Sequence, residues 1–285
     1  MARRKRIKHS QADFSFSGLP NTRRKQFFDC LKNRWGLFLE VGALFALASL
    51  LLVGLIYAQD LVTHNIASDS ALEENVRNSQ LNSMSLVFGS LIGVAIVLLF
   101  LPLGGILRIY RSLIYDEGVF FLSDFAKGFK ETWKLTLVLG LLLGGGYFAC
   151  AFYKSLISVS FLAYIPYGVL IFLVVPWAFT TLSYGSIYQS SFWVILQNGF
   201  VLTVKTFFKA LLLVLAGSLP FLFLFLPSSS FRSIALILCF LAYYPLVLFA
   251  FYLMGIACFD EEINVSLANG LYHKGLYDEK MDEDE

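Results

Sequence analysis

The chain has 285 residues, of which 58% are hydrophobic and only 15% charged, with a net charge of +2. Soluble domains carry about 25% charged residues, so this chain lacks the polar side chains to cover a water-facing surface. The small net charge is the difference between a basic front and an acidic tail, and it gives no reason to expect nucleic acid as a partner.

Residues 1–34 form a basic front with ten Lys or Arg residues. It is too polar and too long for the n-region of a cleaved signal, so the apolar run that follows is read as a retained first span. A helix needs about 20 apolar residues to cross a bilayer. Six runs meet that length: 35–58, 84–107, 135–153, 161–182, 210–226 and 233–259. Residues 183–204 form a further uncharged segment, separate from the fourth span. Strand alternation is absent, and open-ended backbone cannot be satisfied in lipid except as helix. The expected fold is therefore all-α: a polytopic transmembrane helical bundle of about six spans (35–259), between a basic tail (1–34) and an acidic tail (260–285). Pro102, Pro166, Pro176, Pro220 and Pro245 are expected to kink helices or lie near their ends.

Nineteen of the 22 Lys and Arg residues fall in the front, the second gap, the fourth gap and the tail. Basic residues stay on the cytoplasmic side, which predicts a multi-pass protein with both termini cytoplasmic. The 59–83 loop, with Asp60, Asp69, Glu73 and Glu74, is then external.

Residues 122–134 read as an amphipathic helix on the cytoplasmic surface, with Ser123 as its N-cap. Leu122, Phe125, Phe129 and Trp133 recur on one face, and Lys127, Lys130 and Lys134 lie on the other. Such a helix suits anionic headgroups, which makes the three lysines candidate contacts for lipid or a partner. The segment has an echo. Gly128-Phe129 followed by Lys134 has the spacing of Gly199-Phe200 followed by Lys205, and Lys32 and Trp35 match Lys130 and Trp133. The pattern points to tandem helix pairs in one orientation.

Leu101-Pro102-Leu103-Gly104-Gly105, Tyr110-Arg111, Ser123-Asp124-Phe125 and Gly128 to Lys134 together resemble the YesL-like (DUF624) family of bacterial membrane proteins. Leu196 to Phe200, Lys205-Thr206 and the lead-in Arg23 to Phe28 extend the resemblance over residues 19–259. Two features depart from it: the usual Gly-Pro-Ala turn is Pro-Leu-Gly-Gly, and the loop 59–83 is longer. A second six-span family (DUF975) has a similar layout. The resemblance implies a bacterial plasma membrane as the location and no enzymatic chemistry. Because YesL-like genes often lie beside sugar-uptake transporter genes in Gram-positive bacteria, it implies an accessory or assembly role with transporter subunits. The alternative is a small-solute transporter in its own right, with Pro166, Pro176 and Pro245 breaking helices around a cavity and Trp177, Tyr184 and Tyr243 stacking on the solute.

Little else carries chemistry. Glu40 is the one ionisable residue inside a span, and an ionisable residue in a membrane is a candidate site. It could line a cavity, or reach the interface and pair with Arg34 or Lys32. His9, His64 and His273 lie in loops or tails. Cys30, Cys150, Cys239 and Cys258 have no paired spacing and read as small buried residues. Gly140 and Gly144 fit close helix packing. Ser183, Ser186, Ser190 and Ser191 have no acid or base partner, so no catalytic residue is assigned. No cofactor is implied. The acidic run 278–285 reads as a solvated tail, and Arg3 to Arg6 as an orienting, lipid-contacting cluster.

Overall fold

The computed structural model describes residues 20–277, except residues 72, 158–160, 189 and 266–268. The basic cluster Arg3 to Arg6, His9 and the acidic run 278–285 lie outside the described residues. Every element among the described residues is helical. Six stretches are long and apolar enough to cross a membrane: Trp35–Ser68, Glu74–Ile114, Phe121–Leu156, Phe161–Ile187, Phe207–Phe225 and Ser229–Asn264. The chain is a multi-pass helical membrane protein, as its hydropathy requires.

The helices follow one another as α1 (Arg23–Asn33), α2 (Trp35–Ser68), α3 (Glu74–Phe100), α4 (Leu103–Ile114) and α5 (Phe121–Leu156). Then come α6 (Ile165–Val169), α7 (Val175–Ile187), α8 (Phe192–Lys205), α9 (Phe207–Ser218), α10 (Ser229–Leu238) and α11 (Tyr244–Phe259). A helix of 34 residues such as α2 is about 51 Å long at 1.5 Å per residue, against roughly 30 Å of hydrocarbon. Helix ends therefore project beyond the lipid.

The second, fourth and sixth spans each break at a proline. Pro102 caps the start of α4. Pro176 and Pro245 sit in the first turns of α7 and α11, each after one π-helical turn (Leu170–Val174 and Cys239–Tyr243). Proline lacks an N–H and crowds the preceding turn, so the ladder widens where it enters. Beyond each break the helix turns inward, and α4, α7 and α11 pack against one another. Ten of the twelve residues of α4 are buried. Tyr110, Phe249, Tyr252 and Phe259 are at most 1% exposed, and the Tyr110 hydroxyl donates to the Pro245 carbonyl (2.8 Å).

Two sequence expectations change here. Residues 122–134 are helical, but they are the first turns of α5 and run without a break into the third span. Their buried stripe is Asp124, Gly128, Thr132 and Leu135, while Leu122, Phe129 and Trp133 are exposed. Phe125, the fourth residue of the expected apolar face, is half-buried against Gly105 of α4, and the other three face outward because the Gly and Thr stripe is the side narrow enough to meet α4. Ser123 is not the N-cap. The helix opens at Phe120, whose N–H donates to Asp124 Oδ2 (2.9 Å).

Gly140 and Gly144 do pack closely. A Cβ on Gly93 would lie 2.7 Å from the Gly144 carbonyl oxygen, so α3 and α5 touch backbone to backbone. Cys30, Cys150 and Cys258 are buried, Cys239 is half-buried, and all four are free thiols.

Candidate functional site

The bundle has two chemically different ends. Arg23, Arg111, Lys134, Lys205 and Lys274 mark the basic end. Among the described residues only Arg77, Lys154 and Arg232 fall at the other. The candidate site is the polar junction at the basic end, where α4, α7 and α11 terminate and where α1 and the C-terminal segment meet them.

Local sequence explains how the junction is assembled. A Cβ at Gly128 would lie 2.7 Å from the Gly104 carbonyl, and one at Gly199 would lie 2.7 Å from Thr181 Cα. No larger residue fits at these crossings. One turn later Thr132 Oγ1 donates to the Gly128 carbonyl (2.8 Å), and Thr203 Oγ1 to the Gly199 carbonyl (2.6 Å). Gly128 sits against Arg108 on α4 and Gly199 against Thr181 on α7. The Gly-Phe echo is thus a repeated helical hairpin: an inner helix, a short turn, and an outer helix packed back through a glycine. In the third lead-in, α1, Cys30 stands where the glycines stand, and α1 packs on α11.

Arg23 on α1 and Asp260 after α11 form a buried ion pair (2.7 Å), their side chains 9% and 4% exposed. Asn264 Nδ2 donates to Asp260 Oδ1 (2.8 Å), and Tyr188 donates to Asn264 Oδ1 (2.6 Å). Arg111 Nη1 donates to the Ser186 carbonyl (3.1 Å), while the hydroxyls of Ser186 and Tyr252 share a hydrogen bond (3.0 Å). Asn198 donates to the Tyr184 hydroxyl (2.9 Å), and the Tyr184 ring packs tilted against Tyr188 at 4.6 Å between ring centres.

A C-terminal strap closes over the junction. Gln26 Nε2 donates to the carbonyls of Ile114 (2.7 Å) and Gly275 (2.9 Å). Arg23 donates to the Lys274 carbonyl (3.0 Å), and Lys274 Nζ pairs with Glu117 (2.6 Å). Gly275 has φ +78°, and a Cβ there would collide with the Ile114 carbonyl, so the strap needs glycine at this point. Tyr115 lies beneath, with Lys274 4.9 Å and Arg111 5.7 Å from its ring centre.

The electrostatics follow from these contacts. Burial pushes the Tyr115 hydroxyl up to about 12, against the opposing pull of Arg111. Burial also raises Tyr188. The hydrogen bond from Lys274 holds Glu117 below the usual carboxylate range. At neutral pH both tyrosine hydroxyls are protonated, Tyr188 donates to Asn264, and Glu117 is charged. Ser183 and Ser186 donate to the carbonyls of Phe179 and Ser183, as serines inside helices commonly do. These contacts tie α1, α4, α7, α11 and the C-terminal segment to one another.

Lys127, Lys130 and Lys134 are exposed at this end, with Lys134 Nζ 5.7 Å from the Trp133 ring centre. The structure leaves them together on an outer surface, beside exposed Leu122, Phe129 and Trp133. Glu40 is exposed on α2 and is not a buried polar contact; among the described residues it forms no ion pair with Arg34 or Lys32. Trp177 donates to the Leu196 carbonyl (3.4 Å) and Tyr243 to the Ala216 carbonyl (2.7 Å), so both rings pin neighbouring helices. Among the described residues no group of His, Cys, Asp and Glu could hold a metal ion.

Sequence reasoning missed the Arg23–Asp260–Asn264–Tyr188 chain and the strap. The one available signal was a cluster of acidic residues, Asp260 to Glu262, directly after an apolar run and opposite a basic lead-in. At the other end Asp60 accepts from Arg232 (2.9 Å) and Ser229, and lines a cleft of about 260 Å³ with Tyr57, Gln59 and Thr63. Compared with protein-family models, with curated proteins and with solved structures, the chain matches none.

Proposed function

We propose that this chain is a non-enzymatic plasma-membrane protein of the YesL-like kind that serves as an accessory or assembly partner of a transporter. The observation that carries this reading is the packed interior. The inner helices meet through fully buried Tyr110, Phe249, Tyr252 and Phe259, where a solute path needs space and polar groups. The surface offered to a partner is the exposed start of α5, with Lys127, Lys130 and Lys134 beside Leu122, Phe129 and Trp133. The basic end is taken as cytoplasmic from the bias of Lys and Arg. Purification in mild detergent followed by mass spectrometry tests the proposal. A transporter subunit should co-purify reproducibly, and replacing the three lysines with Glu should reduce its recovery. Recovery of the bare protein counts against the reading.

The second reading is a small-solute transporter. It is favoured by the cleft at Asp60 and Arg232, which opens between the first and last spans at the end opposite the junction. Solute uptake by liposomes containing the purified protein, lost on Asp60→Ala, would select it over the accessory role.

A further inference from the structure

We infer that a groove between α1 and α11 is a binding site for one anionic glycerophospholipid, with Arg24 holding the phosphate and the floor of α11 holding an acyl chain. The groove has a volume of about 320 Å³ and is lined by Arg23, Arg24, Phe27, Phe28, Ala250, Leu253, Met254 and Ala257. From residue 248 to residue 260, α11 and the residue after it are buried except at Ala250, Met254 and Ala257. These three lie on one stripe at steps of four and three. This inner helix is therefore only half-covered along one narrow line, and that line is the groove floor.

The groove changes character along its length as a phospholipid does. Phe27 stacks on Phe249 at 5.7 Å between ring centres, while Arg23 reaches Asp260. Those two levels are 11 residues apart on α11, or about 16 Å of helix. The deep part is walled by phenylalanines and floored by alanine and methionine. The shallow part, at the end of the sixth span, carries the guanidinium groups. Arg23 is consumed by Asp260, Gln26 and the Lys274 carbonyl. Arg24 is exposed, lies on the same rim and forms no ion pair among the described residues. A cation at headgroup depth above an apolar slot favours an anionic headgroup over a zwitterionic one. The same lipid would bridge α1 to α11 beside the Arg23–Asp260 pair.

The test is lipid retention by the full chain. Protein purified in mild detergent is exchanged into nanodiscs of phosphatidylcholine containing a minor fraction of phosphatidylglycerol. It is then re-extracted, and the retained lipid is counted by native mass spectrometry. The wild type should retain phosphatidylglycerol in preference to phosphatidylcholine. Arg24→Glu should reduce retention by more than the roughly fivefold expected for one surface cation, and Arg24→Lys should keep most of it. Ala257→Trp fills the floor with the cation intact and should also abolish retention. Lys25→Glu makes the same charge change at an exposed neighbour outside the groove, and should have a smaller effect than Arg24→Glu. Equal retention of the two lipids, retention unaffected by Ala257→Trp, or equal loss in Lys25→Glu and Arg24→Glu would each overturn the site.

Discussion

Replacing Asp260 with Ala strands the Arg23 guanidinium in a place where it is only 9% exposed. Breaking a buried ion pair from one side costs about 3–5 kcal/mol, because the surviving charge is left without compensation. Asn264 Nδ2 loses its acceptor as well. For a chain of roughly this size about 2–4 °C of Tm accompanies each kcal/mol, so Asp260→Ala should lower Tm by about 6–20 °C. Asp260→Asn keeps the shape and one acceptor, and should fall in the lower half of that range. Arg23→Met with Asp260→Leu removes both charges, and its loss should be smaller than that of Asp260→Ala alone. The measurement is thermal unfolding of purified protein in a non-ionic detergent, followed by intrinsic fluorescence for the wild type, Asp260→Ala, Asp260→Asn, the singles Arg23→Met and Asp260→Leu, and their double variant. A shift below about 2 °C for Asp260→Ala, or strict additivity of the single substitutions, would refute the claim that the pair locks α1 onto α11.

The hairpin crossings make a second prediction. Gly128→Leu drives a side chain into the Gly104 carbonyl and the Arg108 stem, so overpacking should cost about 1–3 kcal/mol or more, read as lost monodispersity on size exclusion. The strap should respond to acid. Glu117 is held below its ordinary value by Lys274, so this contact contributes stability above about pH 4.3 that is lost as pH falls through the lower folded value. Limited proteolysis with an acid-stable protease should show the 269–277 segment becoming cleavable on that side only, while Lys274→Ala leaves it cleavable at neutral pH. Burial and the neighbouring Asp29 push the Cys30 thiol up to about 11. Its alkylation at pH 8 should therefore be at least tenfold slower than that of a free thiol, and should speed up once α1 is released by Asp260→Ala.

Part of this architecture was open to sequence reasoning because the relevant forces sum locally. Apolar run length and the Lys/Arg bias separate spans from gaps without reference to any other part of the chain. The Gly-Phe echo was also visible, since a glycine, a following aromatic and a lysine recur at one spacing. Its meaning was not visible. Residues 122–134 looked like a surface helix because four aromatic or aliphatic residues shared a face, yet three of those four are exposed and the buried face is Asp124, Gly128 and Thr132. Apolarity marks contact with lipid as readily as contact with protein, so in a membrane chain hydropathy alone does not say which face is inside. Small residues mark the close approach instead.

By itself, the sequence determined that this is a helical membrane protein of about six spans, with one basic end and prolines in its second, fourth and sixth spans. Only the tertiary structure decided that the segments after Pro102, Pro176 and Pro245 turn inward to form the core. It also decided that Arg23 meets Asp260 across 237 residues of chain and that Gly275 lets a strap close the junction. The physical reason is range. Hydropathy and charge bias act through the bilayer on each segment separately, whereas a buried ion pair or a glycine crossing exists only once two distant segments have been brought to the same place.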